Sequence, residues 1–570
     1  MAVAAANISR GRQGARSEGE RPDVHYDWIV VGSGFGGSVS ALRLAEKGYR
    51  VAILECGRRF EDEDFAESTW QLGRYYWMPK IGLRGILRLA VFKDVFIVSG
   101  CGVGGGSLGY ANTLYRARPA FFSDGQWGEL GNWEGELAPH YDTAERMLGV
   151  ADYPLEGPAD ELLHEYGESI GVGDTYKHTR VGVFFGEPGK TVADPYFGGE
   201  GPERSGCIGC GSCMVGCRHN AKNTLRKNYL WFAEKLGVEI IPERQVTDVR
   251  PVGAEDGSDG YEVTSERSGS WVRKRRRTLR ARGVVIAAGA LGTNSLLQNC
   301  RHSGSLPNLS PRLGDLVRTN SESINAVTAP GDERDFAKSV AISSSIYPDP
   351  DTHVEVVTYG RNADSMSLLF TLLTGKGTSR TRPFAWFGQV LRHPINFLRT
   401  FWPFKWSRRT VILLVMQTLD NAIRLRPKRK LFGRGVKLET EQDPERPNPT
   451  FIPAADAVAR WWEKRTGGLA QGGLTEAIFN IPTTAHILGG AVIGPDAETG
   501  VVDGDNRVYG YENLLVCDGA AVPANPGVNP SLTITALAER AMSRVPAKED
   551  ATGEAPPRGR PVTSGVSSSA

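Results

Sequence analysis

The segment 27–55 constrains the fold of this chain more than any other part of its sequence. It opens with a short apolar run at 27–31, which is typical of a buried parallel strand, and continues into a glycine-rich turn at 32–37. An amphipathic stretch follows, and a second apolar run at 51–54 ends at Glu55. A strand, a glycine turn, a helix, a second strand and an acid in this order predict a dinucleotide-binding α/β fold.

Each glycine of this turn has a separate role in such a site. Gly32 permits the tight turn, Gly34 lets a pyrophosphate approach the backbone, and Gly37 lets the helix pack closely on the strand. The pyrophosphate then lies at the helix N-terminus, where free N–H groups and the helix dipole favour an anion. Glu55 follows the second strand, where a carboxylate binds the ribose hydroxyls and disfavours the 2′-phosphate of NADP.

Composition and charge narrow the classes of function. The chain has 570 residues, which predicts several domains, and 69 glycines, an excess that indicates many tight turns. Its net charge of +2 argues against nucleic acid as the main partner, and it has no apolar run long enough to cross a membrane. Residues 1–22 lack the apolar region of a secretory signal, so we expect a cytoplasmic protein. The polar ends, 1–25 and 547–570, are predicted to be disordered.

Several later segments carry patterns of the same kind. They are a glycine turn at 102–107 followed by Asn112, a strand at 283–290, a strand at 513–519, and a turn at 526–531 that opens a helix at 532–542. Together with the first turn, these segments resemble the glucose–methanol–choline (GMC) family of flavin oxidoreductases and, within it, the bacterial cholesterol oxidases. The resemblance extends over most of 26–545 and implies an FAD-binding oxidoreductase.

The resemblance also implies the fold and the residues that hold FAD. The implied fold is α/β, with a Rossmann-like FAD-binding domain assembled from 26–151, 206–300 and 481–546 and an inserted α+β substrate domain, 152–205 and 301–480, that has an antiparallel sheet. The residues assigned to FAD are Gly32, Gly34, Gly37, Glu55 and, through its backbone, Val246 at the adenosine end, then Gly105, Ser107 and Asn112 near the flavin, and Asp518, Gly519 and Asn529 beside the isoalloxazine. No histidine lies at 105–112, so FAD is expected to bind without a covalent histidyl bond.

The catalytic residues are predicted to be His486 and Asn529. Alcohol oxidation moves a hydride to the flavin and removes the hydroxyl proton, and histidine suits that proton because its pKa lies near neutral. A histidine in an apolar neighbourhood is more often a satisfied core residue, but the separation of His486 from Asn529 matches the paired His and Asn of the family. The Asn529 amide can bond either the hydroxyl oxygen or the flavin edge.

A base that moves the steroid double bond is harder to place. In cholesterol oxidases a glutamate at the start of a substrate-domain strand takes part in this step. The strand that matches best here is predicted at 410–418, and Arg408 and Arg409, which precede it, stay protonated and cannot act as a base. Glu322 and Glu476 are alternatives without an assigned place, so the sequence supports oxidation better than isomerisation.

Four of the eight cysteines are clustered, at Cys207, Cys210, Cys213 and Cys217. Their spacing is that of bacterial ferredoxins, and the glycines around them would let the loop wrap an iron–sulfur cluster. However, Arg218 follows the last cysteine where ferredoxins have proline, and the chain has no second cysteine set. An iron–sulfur cluster, free or structural thiols and a tetrathiolate zinc site therefore all stay open.

The stretch 365–419 has no Asp or Glu and carries eight cations, all within 376–409, interleaved with Phe and Trp. One interpretation is a wall of the substrate domain whose rings face the core. The other is a segment that contacts a membrane surface transiently, with its rings at the headgroup boundary and its cations against anionic lipid. A separate basic run at 273–277 is predicted to be a charged edge strand that follows a turn at 268–270.

Three hypotheses of function follow. The first is FAD-dependent oxidation of a sterol 3-hydroxyl to the ketone, with oxygen or an electron carrier as the acceptor. The second is a GMC-type alcohol or sugar dehydrogenase that passes electrons through an iron–sulfur cluster at the clustered cysteines. The third is a lipid-binding protein that keeps FAD only as a structural ligand.

Overall fold

A computed structural model describes residues 25–331, 334–430 and 435–549. The strands are β1 His25–Val31, β2 Val51–Leu54, β3 Trp77–Met78, β4 Leu83–Arg84, β5 Leu87–Val91, β6 Phe96–Gly100, β7 Ala151–Asp152, β8 Lys177–His178, β9 Arg180–Val181, β10 Thr191–Val192, β11 Arg204–Ser205, β12 Glu239–Ile241, β13 Arg244–Pro251, β14 Tyr261–Arg267, β15 Arg277–Ile286, β16 Ser323–Thr328, β17 Ile342–Asp349, β18 Thr352–Val357, β19 Phe370–Leu372, β20 Thr410–Gln417, β21 Ile423–Arg429, β22 Val436–Gln442, β23 Leu469–Gly473, β24 Thr483–Thr484 and β25 Leu514–Val516. The helices are α1 Phe35–Glu46, α2 Leu72–Tyr75, α3 Pro119–Phe122, α4 Trp133–Leu148, α5 Pro158–Ser169, α6 Tyr229–Lys235, α7 Ala290–Ser303, α8 Arg382–Arg392, α9 Pro394–Thr400, α10 Trp406–Arg409, α11 Pro453–Thr466, α12 Leu474–Phe479 and α13 Ser531–Ser543.

The first sheet has the strand order β12-β2-β1-β15-β14-β13, and β25 pairs with β15 beyond the end of β14. Strands β12, β2, β1, β15 and β25 are parallel, whereas β13, β14 and β15 pair antiparallel. In register, Val31 lies opposite both Leu54 and Ile286, and Ile286 lies opposite Val516, so the parallel strands all end at one edge. Ligands of open α/β sheets bind at this carboxyl edge.

Some elements of this sheet differ from their predicted bounds. The strand predicted at 283–290 begins earlier, at Arg277, and the strand predicted at 513–519 is limited to Leu514–Val516. The prediction that the basic run 273–277 is an edge strand is wrong. Most of this run lies in the loop between β14 and β15, and β15 itself lies inside the sheet, between β1 and β14. The apolar end of β15 takes the central position, and the charged run stays exposed in the loop before it.

The second sheet has the order β19-β23-β16-β20-β18-β17-β8 and is antiparallel throughout. Its side chains alternate between two faces, as the pleat requires. Leu413 of β20 and Val354 of β18 pack with helices α5 and α11 in one core, whereas Ile412 and Leu414 belong to a core on the opposite face. Strand β20 ends at Gln417, one residue before its predicted end. The face with Ile412 and Leu414 is the one that lines the site.

Smaller elements complete the fold around the first sheet. Strands β24, β6 and β5 form a short sheet, and helix α1 packs against α13, which was predicted at 532–542 and spans Ser531–Ser543.

The disordered tails predicted at 1–25 and 547–570 lie almost wholly outside the described residues, but Lys548 pairs with Asp27 at 2.7 Å between Nζ and Oδ2. In the described part of the chain, no helix is long and apolar enough to cross a membrane.

Candidate active site

A cavity of about 440 Å³ lies at the carboxyl edge of the first sheet and is also lined by the second sheet. One part of its wall consists of glycines and alanines together with Phe35: Gly34, Gly36, Gly106, Gly109, Ala287, Gly289 and Ala290. Another part is apolar: Leu87, Leu89, Val98, Ile324, Ile342, Val357, Phe370, Ile412 and Leu414. His486, Asp518, Gly519 and Asn529 also line this cavity, so the structure brings these predicted site residues together.

The backbone packs so closely around the first glycine turn that three of its glycines, Gly32, Gly36 and Gly37, leave no room for a side chain. A Cβ atom at Gly37 would lie 2.1 Å from the carbonyl oxygen of Gly32, which itself has a φ of +100°. A Cβ at Gly36 would lie 1.5 Å from the carbonyl oxygen of Cys517, a contact that sequence reasoning missed. At Gly34, by contrast, the nearest atom to an added Cβ is the Cα of Gly105 at 4.0 Å. Gly34 therefore leaves open a cradle at the helix N-terminus that a side chain would fill.

The carboxylate of Glu55 is held at the end of β2. Its Oε2 accepts the backbone N–H of Ser33 at 3.1 Å and the Ser33 hydroxyl at 2.8 Å, and its Oε1 accepts the N–H of Gly57 at 2.7 Å. The Ser33 hydroxyl also accepts the N–H of Gly104 at 3.0 Å, which ties the first glycine turn to the second. Val246 lies half-buried at a bulge of β13, two residues after Arg244, whose N–H donates to the Glu55 carbonyl.

The second turn contains an unsatisfied polar side chain. Asn112 is buried with a φ of +71°, and neither polar atom of its amide has a partner among the described residues. Ser107 instead holds the turn in shape, because its hydroxyl donates to the Gly104 carbonyl at 2.7 Å and accepts the Leu225 N–H at 3.0 Å. A buried amide without partners is costly unless a ligand satisfies it. The cradle at Gly34, the acid at Glu55 and this amide together fit FAD.

Asp518 lies at the opposite wall, after β25. It accepts hydrogen bonds from the Thr293 hydroxyl and from the N–H groups of Gly289 and Ala520, at 2.5, 2.8 and 2.8 Å. Burial raises the pKa of Asp518 to about 6, although these bonds lower it. The loop that carries Gly519 is thereby fixed against helix α7, at the position predicted to flank the isoalloxazine.

His486 is paired with a buried carboxylate that the sequence left unplaced. Its Nδ1 contacts Oε1 of Glu322, and Glu322 Oε2 accepts the N–H of Ala485 at 2.8 Å. Because a carboxylate only accepts, Nδ1 carries the proton, and Nε2 is left as the acceptor of the neutral imidazole. Burial alone lowers the pKa of His486, but the charge and hydrogen bond of Glu322 raise it above its usual value.

Glu355 is the functional candidate that sequence reasoning missed. It lies on β18 opposite Leu414, on the face that lines the cavity, and it is fully buried. Its Oε2 accepts the Asn529 amide N–H at 3.2 Å, whereas its Oε1 and the Asn529 carbonyl oxygen have no partner among the described residues. Burial raises its pKa to about 8, while Asn529 and His486 lower it. A single acid within the apolar run 354–357 was the available signal.

The other candidates for a base lie elsewhere. Arg408 lies in helix α10 beside Asp335, with 3.4 Å between Nε and Oδ2, and it does not line the cavity. Glu476 is buried against Arg382 at 3.8 Å and accepts the Ser323 hydroxyl at 3.3 Å, so it belongs to a separate ion pair. The sequence left this base without an assigned residue. The structure brings a further acid to the site, Glu355 of β18, which accepts a hydrogen bond from Asn529.

The clustered cysteines lie in a loop beside the cavity. All four line one small pocket, and Met214 between them lines the main cavity. The buried ammonium of Lys222 donates to the carbonyls of Leu108, Tyr110 and Cys213 at 3.0, 2.8 and 2.9 Å, which joins this loop to the second glycine turn. In the described part of the chain, no three of the four thiols lie within 4.8 Å of one another.

The basic aromatic stretch forms the helices α8 and α9. Phe384 is 80% exposed, and several other large apolar side chains of this stretch are exposed with it: Phe387, Leu391, Ile395, Leu398, Phe401, Trp402 and Phe404. The interpretation that the rings of this stretch all face the core is therefore wrong, although Trp406 is buried. Helix α8 packs on α12 and β19, which contribute Leu474 and Phe370 to the cavity wall.

The parallel sheet, the two glycine turns and the polar group at the flavin end define an FAD-dependent oxidoreductase that acts on a CH–OH group. Comparisons with known proteins agree with this class. Models described as GMC oxidoreductase match 202–314 and 446–538, and an FAD binding domain model matches 27–69. A cholesterol oxidase of Acinetobacter baumannii is 50% identical over 92% of this chain and 95% of its own length. The chain belongs to the GMC oxidoreductase family.

Further relatives and a solved structure extend this comparison. A cholesterol oxidase of Mycobacterium tuberculosis is 51% identical over 95% of this chain and 94% of its own length. A long-chain-alcohol oxidase of Arabidopsis thaliana is 24% identical over 94% of this chain and 69% of its own length. The crystal structure of pyridoxine 4-oxidase from Mesorbium loti has the same fold, with a TM-score of 0.59 at 15% identity over 91% of this chain and 98% of that chain.

Proposed function

We propose that this protein oxidises the 3-hydroxyl of a sterol to the ketone, with dioxygen as the final acceptor. The observation that carries the proposal is that His486 and Asn529 line one end of a cavity whose other walls are largely apolar, with the buried carboxyl group of Glu355 hydrogen-bonded to Asn529. A rigid hydrocarbon with one hydroxyl matches that lining, whereas a sugar would leave most of its hydroxyls without partners there. The relatives of about 50% identity, both cholesterol oxidases, support the same substrate class.

His486 and Asn529 have different roles toward the substrate hydroxyl group: His486 removes its proton, and Asn529 orients it. Bound FAD supplies the acceptor of the hydride from the carbinol carbon. Nε2 of His486 takes the hydroxyl proton, since Glu322 holds the other ring nitrogen and stabilises the imidazolium that forms. The free carbonyl oxygen of Asn529 accepts from the substrate hydroxyl and orients it, while its amide nitrogen is engaged with Glu355. The apolar walls exclude water from this polar end.

Glu355 is proposed as the base that moves the double bond of a 5-ene ketone to the 4-position. In this step, a carboxylate takes a proton from the carbon between the ketone and the alkene, and the proton returns at the far end of the former double bond. The group must be basic enough to take the proton and acidic enough to return it, and a pKa of about 8 meets both needs.

Anaerobic flavin bleaching tests the main proposal. Purified holoprotein is mixed with cholesterol, with a hexose or with a short primary alcohol, and the flavin absorbance is followed. We expect bleaching with the sterol only, and stoichiometric peroxide when air is admitted. Bleaching by the hexose in preference to the sterol would contradict the substrate class. Flavin that no hydroxylated lipid reduces would favour the lipid-binding hypothesis.

We further propose that the exposed face of α8 and α9 contacts an anionic membrane surface, from which the enzyme collects its sterol. Phe384, Leu391 and Leu398 are 80, 67 and 68% exposed, in a stretch with eight cations and no acid. Apolar side chains flanked by cations suit the boundary of anionic headgroups. Because α8 packs against elements that line the cavity, a sterol leaving the bilayer at this face has a short path to His486.

Sedimentation with vesicles tests this contact. The holoprotein should sediment with vesicles that contain anionic lipid, and less so at high salt. The variant Phe384→Ser/Leu398→Ser should lose this binding and keep its activity on detergent-dispersed sterol. Val272→Ser changes another exposed apolar side chain, outside the stretch 365–419, and serves as the matched control. Binding that survives in the Phe384→Ser/Leu398→Ser variant would refute the proposal.

A second candidate function is electron transfer to a carrier through an iron–sulfur cluster, for which the four clustered thiols, all on one pocket, would be the ligands. In a tetrathiolate zinc site each sulfur lies ~2.3 Å from the metal, so any two sulfurs lie within ~4.6 Å. No three of the four thiols lie that close together in the described part of the chain, so they do not match a zinc site. Met214 and the bonds of Lys222 would connect that group to the flavin side of the cavity.

Anaerobic purification with metal analysis tests this second candidate. Iron with acid-labile sulfide in near-stoichiometric amounts, absent from Cys210→Ser but kept in the control Cys300→Ser, would support it. Iron-free protein that cannot be reconstituted with ferrous iron and sulfide, and that still makes peroxide with sterol, would reject it.

A further inference from the structure

A second pair of thiols lies beneath the FAD site, away from the clustered cysteines. Cys56 directly follows Glu55, and Cys101 directly precedes the second glycine turn. Their sulfurs are 3.5 Å apart, and the guanidinium of Arg88 donates to both, at 3.3 Å to Cys56 and 3.5 Å to Cys101. Cys101 is buried, whereas Cys56 is half-buried. Neither of the two lines the main cavity.

We propose that Cys56 and Cys101 form a peroxide-sensitive dithiol, which closes to a disulfide and thereby fastens the end of β2, which carries Glu55, to the second glycine turn of the FAD site. The proposal rests on the proposed oxidation, because hydrogen peroxide is the product of the flavin's reaction with dioxygen. The enzyme would thus respond to its own product.

The chemistry balances with peroxide as the only oxidant. The Cys56 sulfur attacks one peroxide oxygen, the O–O bond breaks, and a sulfenic acid and one water result. The Cys101 sulfur then attacks the Cys56 sulfur, the S–O bond breaks, and the departing hydroxide takes the thiol proton as the second water. Two thiols lose two electrons in total, and one peroxide gains them. Cys56 reacts first because it is the more exposed sulfur, and burial also raises the pKa of Cys101.

The backbones around the pair are already in contact, so closing the disulfide needs little movement. A Cβ atom at Gly57 would lie 2.3 Å from the nitrogen of Gly102 and 3.0 Å from the Cys101 sulfur. On the other side of this contact, the Ser33 hydroxyl joins Glu55 to Gly104. Glu55 and the second glycine turn would both hold FAD, so we expect bound FAD to leave more slowly when a covalent bond keeps these two segments together.

The site formed by Glu55, Cys56 and Cys101 is poorly suited to binding a metal ion. The ligand atoms of Glu55, Cys56 and Cys101 do lie within 4.8 Å of one another. However, Arg88 places a positive charge against both sulfurs, which opposes a cation there. The Glu55 carboxylate also accepts four donors already: the N–H and the hydroxyl of Ser33, the N–H of Gly57, and the Cys56 thiol at 3.4 Å.

Thiol counting and peptide mapping on the holoenzyme test the proposal. One equivalent of hydrogen peroxide is added without substrate, so the result does not depend on turnover, and thiols are counted after denaturation. We expect the count to fall by two from the eight of the reduced chain, and mapping to find one peptide that joins Cys56 to Cys101. Oxidised holoenzyme should release FAD several-fold more slowly on warming, and dithiothreitol should restore the original rate.

Variants separate this pair from the other cysteines. In Cys101→Ala the reaction should stop at a sulfenic acid on Cys56, which dimedone traps, and FAD release should no longer respond to peroxide. Cys300→Ala, a buried cysteine on helix α7, should behave as the wild type. Peroxide that leaves both thiols free, or a disulfide without any change in FAD release, would overturn the proposal. If sterol fails to bleach the flavin but added peroxide still closes the disulfide, only the proposed function falls.

Discussion

The amide nitrogen of Asn529 donates to Oε2 of Glu355 over 3.2 Å, and the remaining oxygen of each side chain has no partner in the described part of the chain. One residue belongs to the turn before α13, and the other lies on a strand of the second sheet. The bond therefore joins the two halves of the site and leaves one oxygen of each side chain unpaired beside the cavity. Under the proposed function, the Asn529 oxygen would accept from the substrate hydroxyl, and the Glu355 carboxylate, once deprotonated, would take the carbon-bound proton.

Glu355→Gln is expected to separate oxidation from isomerisation. The amide keeps the shape and can still pair with Asn529, but it cannot take a proton at any working pH. We expect the double-bond shift to fall by about 10²–10⁴-fold, while sterol oxidation keeps most of its rate. Chromatography of the products should then show the 5-en-3-one in place of the 4-en-3-one. Glu476→Gln, a buried acid outside the cavity, serves as the control and should still yield the conjugated product.

The pKa of Glu355 also predicts a pH dependence. Burial raises it to about 8, so the base form is scarce at neutral pH, and isomerisation should become faster as the pH rises through about 8. Single-turnover isomerisation of added 5-en-3-one, measured from pH 6 to about 9, checks this. A rate that is flat over this range would show that Glu355 does not act as the base.

The raised pKa of Glu355 also makes the folded protein less stable as the pH rises. Glu355 titrates near 4.5 in the unfolded chain and near about 8 in the folded protein, so the folded state binds the additional proton between these values. Stability is therefore lost as the pH rises across this window, by roughly 1–4 kcal/mol. Urea unfolding at pH 5 and pH 8 should show a smaller loss in Glu355→Gln than in the wild type. An equal loss in both proteins would contradict the buried, protonated state.

Glu322→Gln should reveal how His486 is positioned. The glutamine oxygen can still accept from Nδ1, but the negative charge that raises the pKa of His486 is removed. We expect the rate of flavin reduction to fall by about 10–100-fold, with its pH profile displaced to lower pH. His486→Ala should lose about 10²–10⁴-fold and bind FAD normally. Stopped-flow bleaching gives the rates, and a profile that does not move in Glu322→Gln would refute the role of the charge.

Alanine substitutions at two glycines of the first turn should have different effects, one on stability and the other on FAD binding. In Gly36→Ala the new methyl group meets a backbone carbonyl at 1.5 Å, so the turn must move, and we expect destabilisation by about 1–3 kcal/mol or more. In Gly34→Ala the methyl group has room, and the protein should keep its stability but lose affinity for FAD, because the cradle is filled. Thermal unfolding of the apoproteins and FAD titration distinguish the two. Equal stability of both apoproteins would contradict the packing.

Local sequence patterns determined the first sheet and its FAD site well. Strand β2 has its predicted bounds, and the order of strand, glycine turn, helix and acid is observed from β1 to Glu55. The reason is that these residues are close in sequence, and their spacing alone fixes the turn and the position of the helix N-terminus. The separated strands at β15 and β25 were also predictable, because buried parallel strands are short apolar runs. Even so, the loop at 273–276 shows that a charged run does not reveal its place in a sheet.

The arrangement of the proposed catalytic groups was decided only by the tertiary structure. Glu322, Glu355, His486 and Asn529 come from four distant parts of the chain, and no spacing relates the two acids to the histidine. Which face of β18 is turned to the cavity depends on how the second sheet packs on helices α5 and α11. That packing places Val354 in a core and Glu355 in the site. The sequence by itself thus determined the glycine turn and the acid that are predicted to hold the dinucleotide, because these residues are close along the chain. The packing of the second sheet on helices α5 and α11 decided which acid faces Asn529, because contacts between distant segments leave no periodic pattern in the sequence.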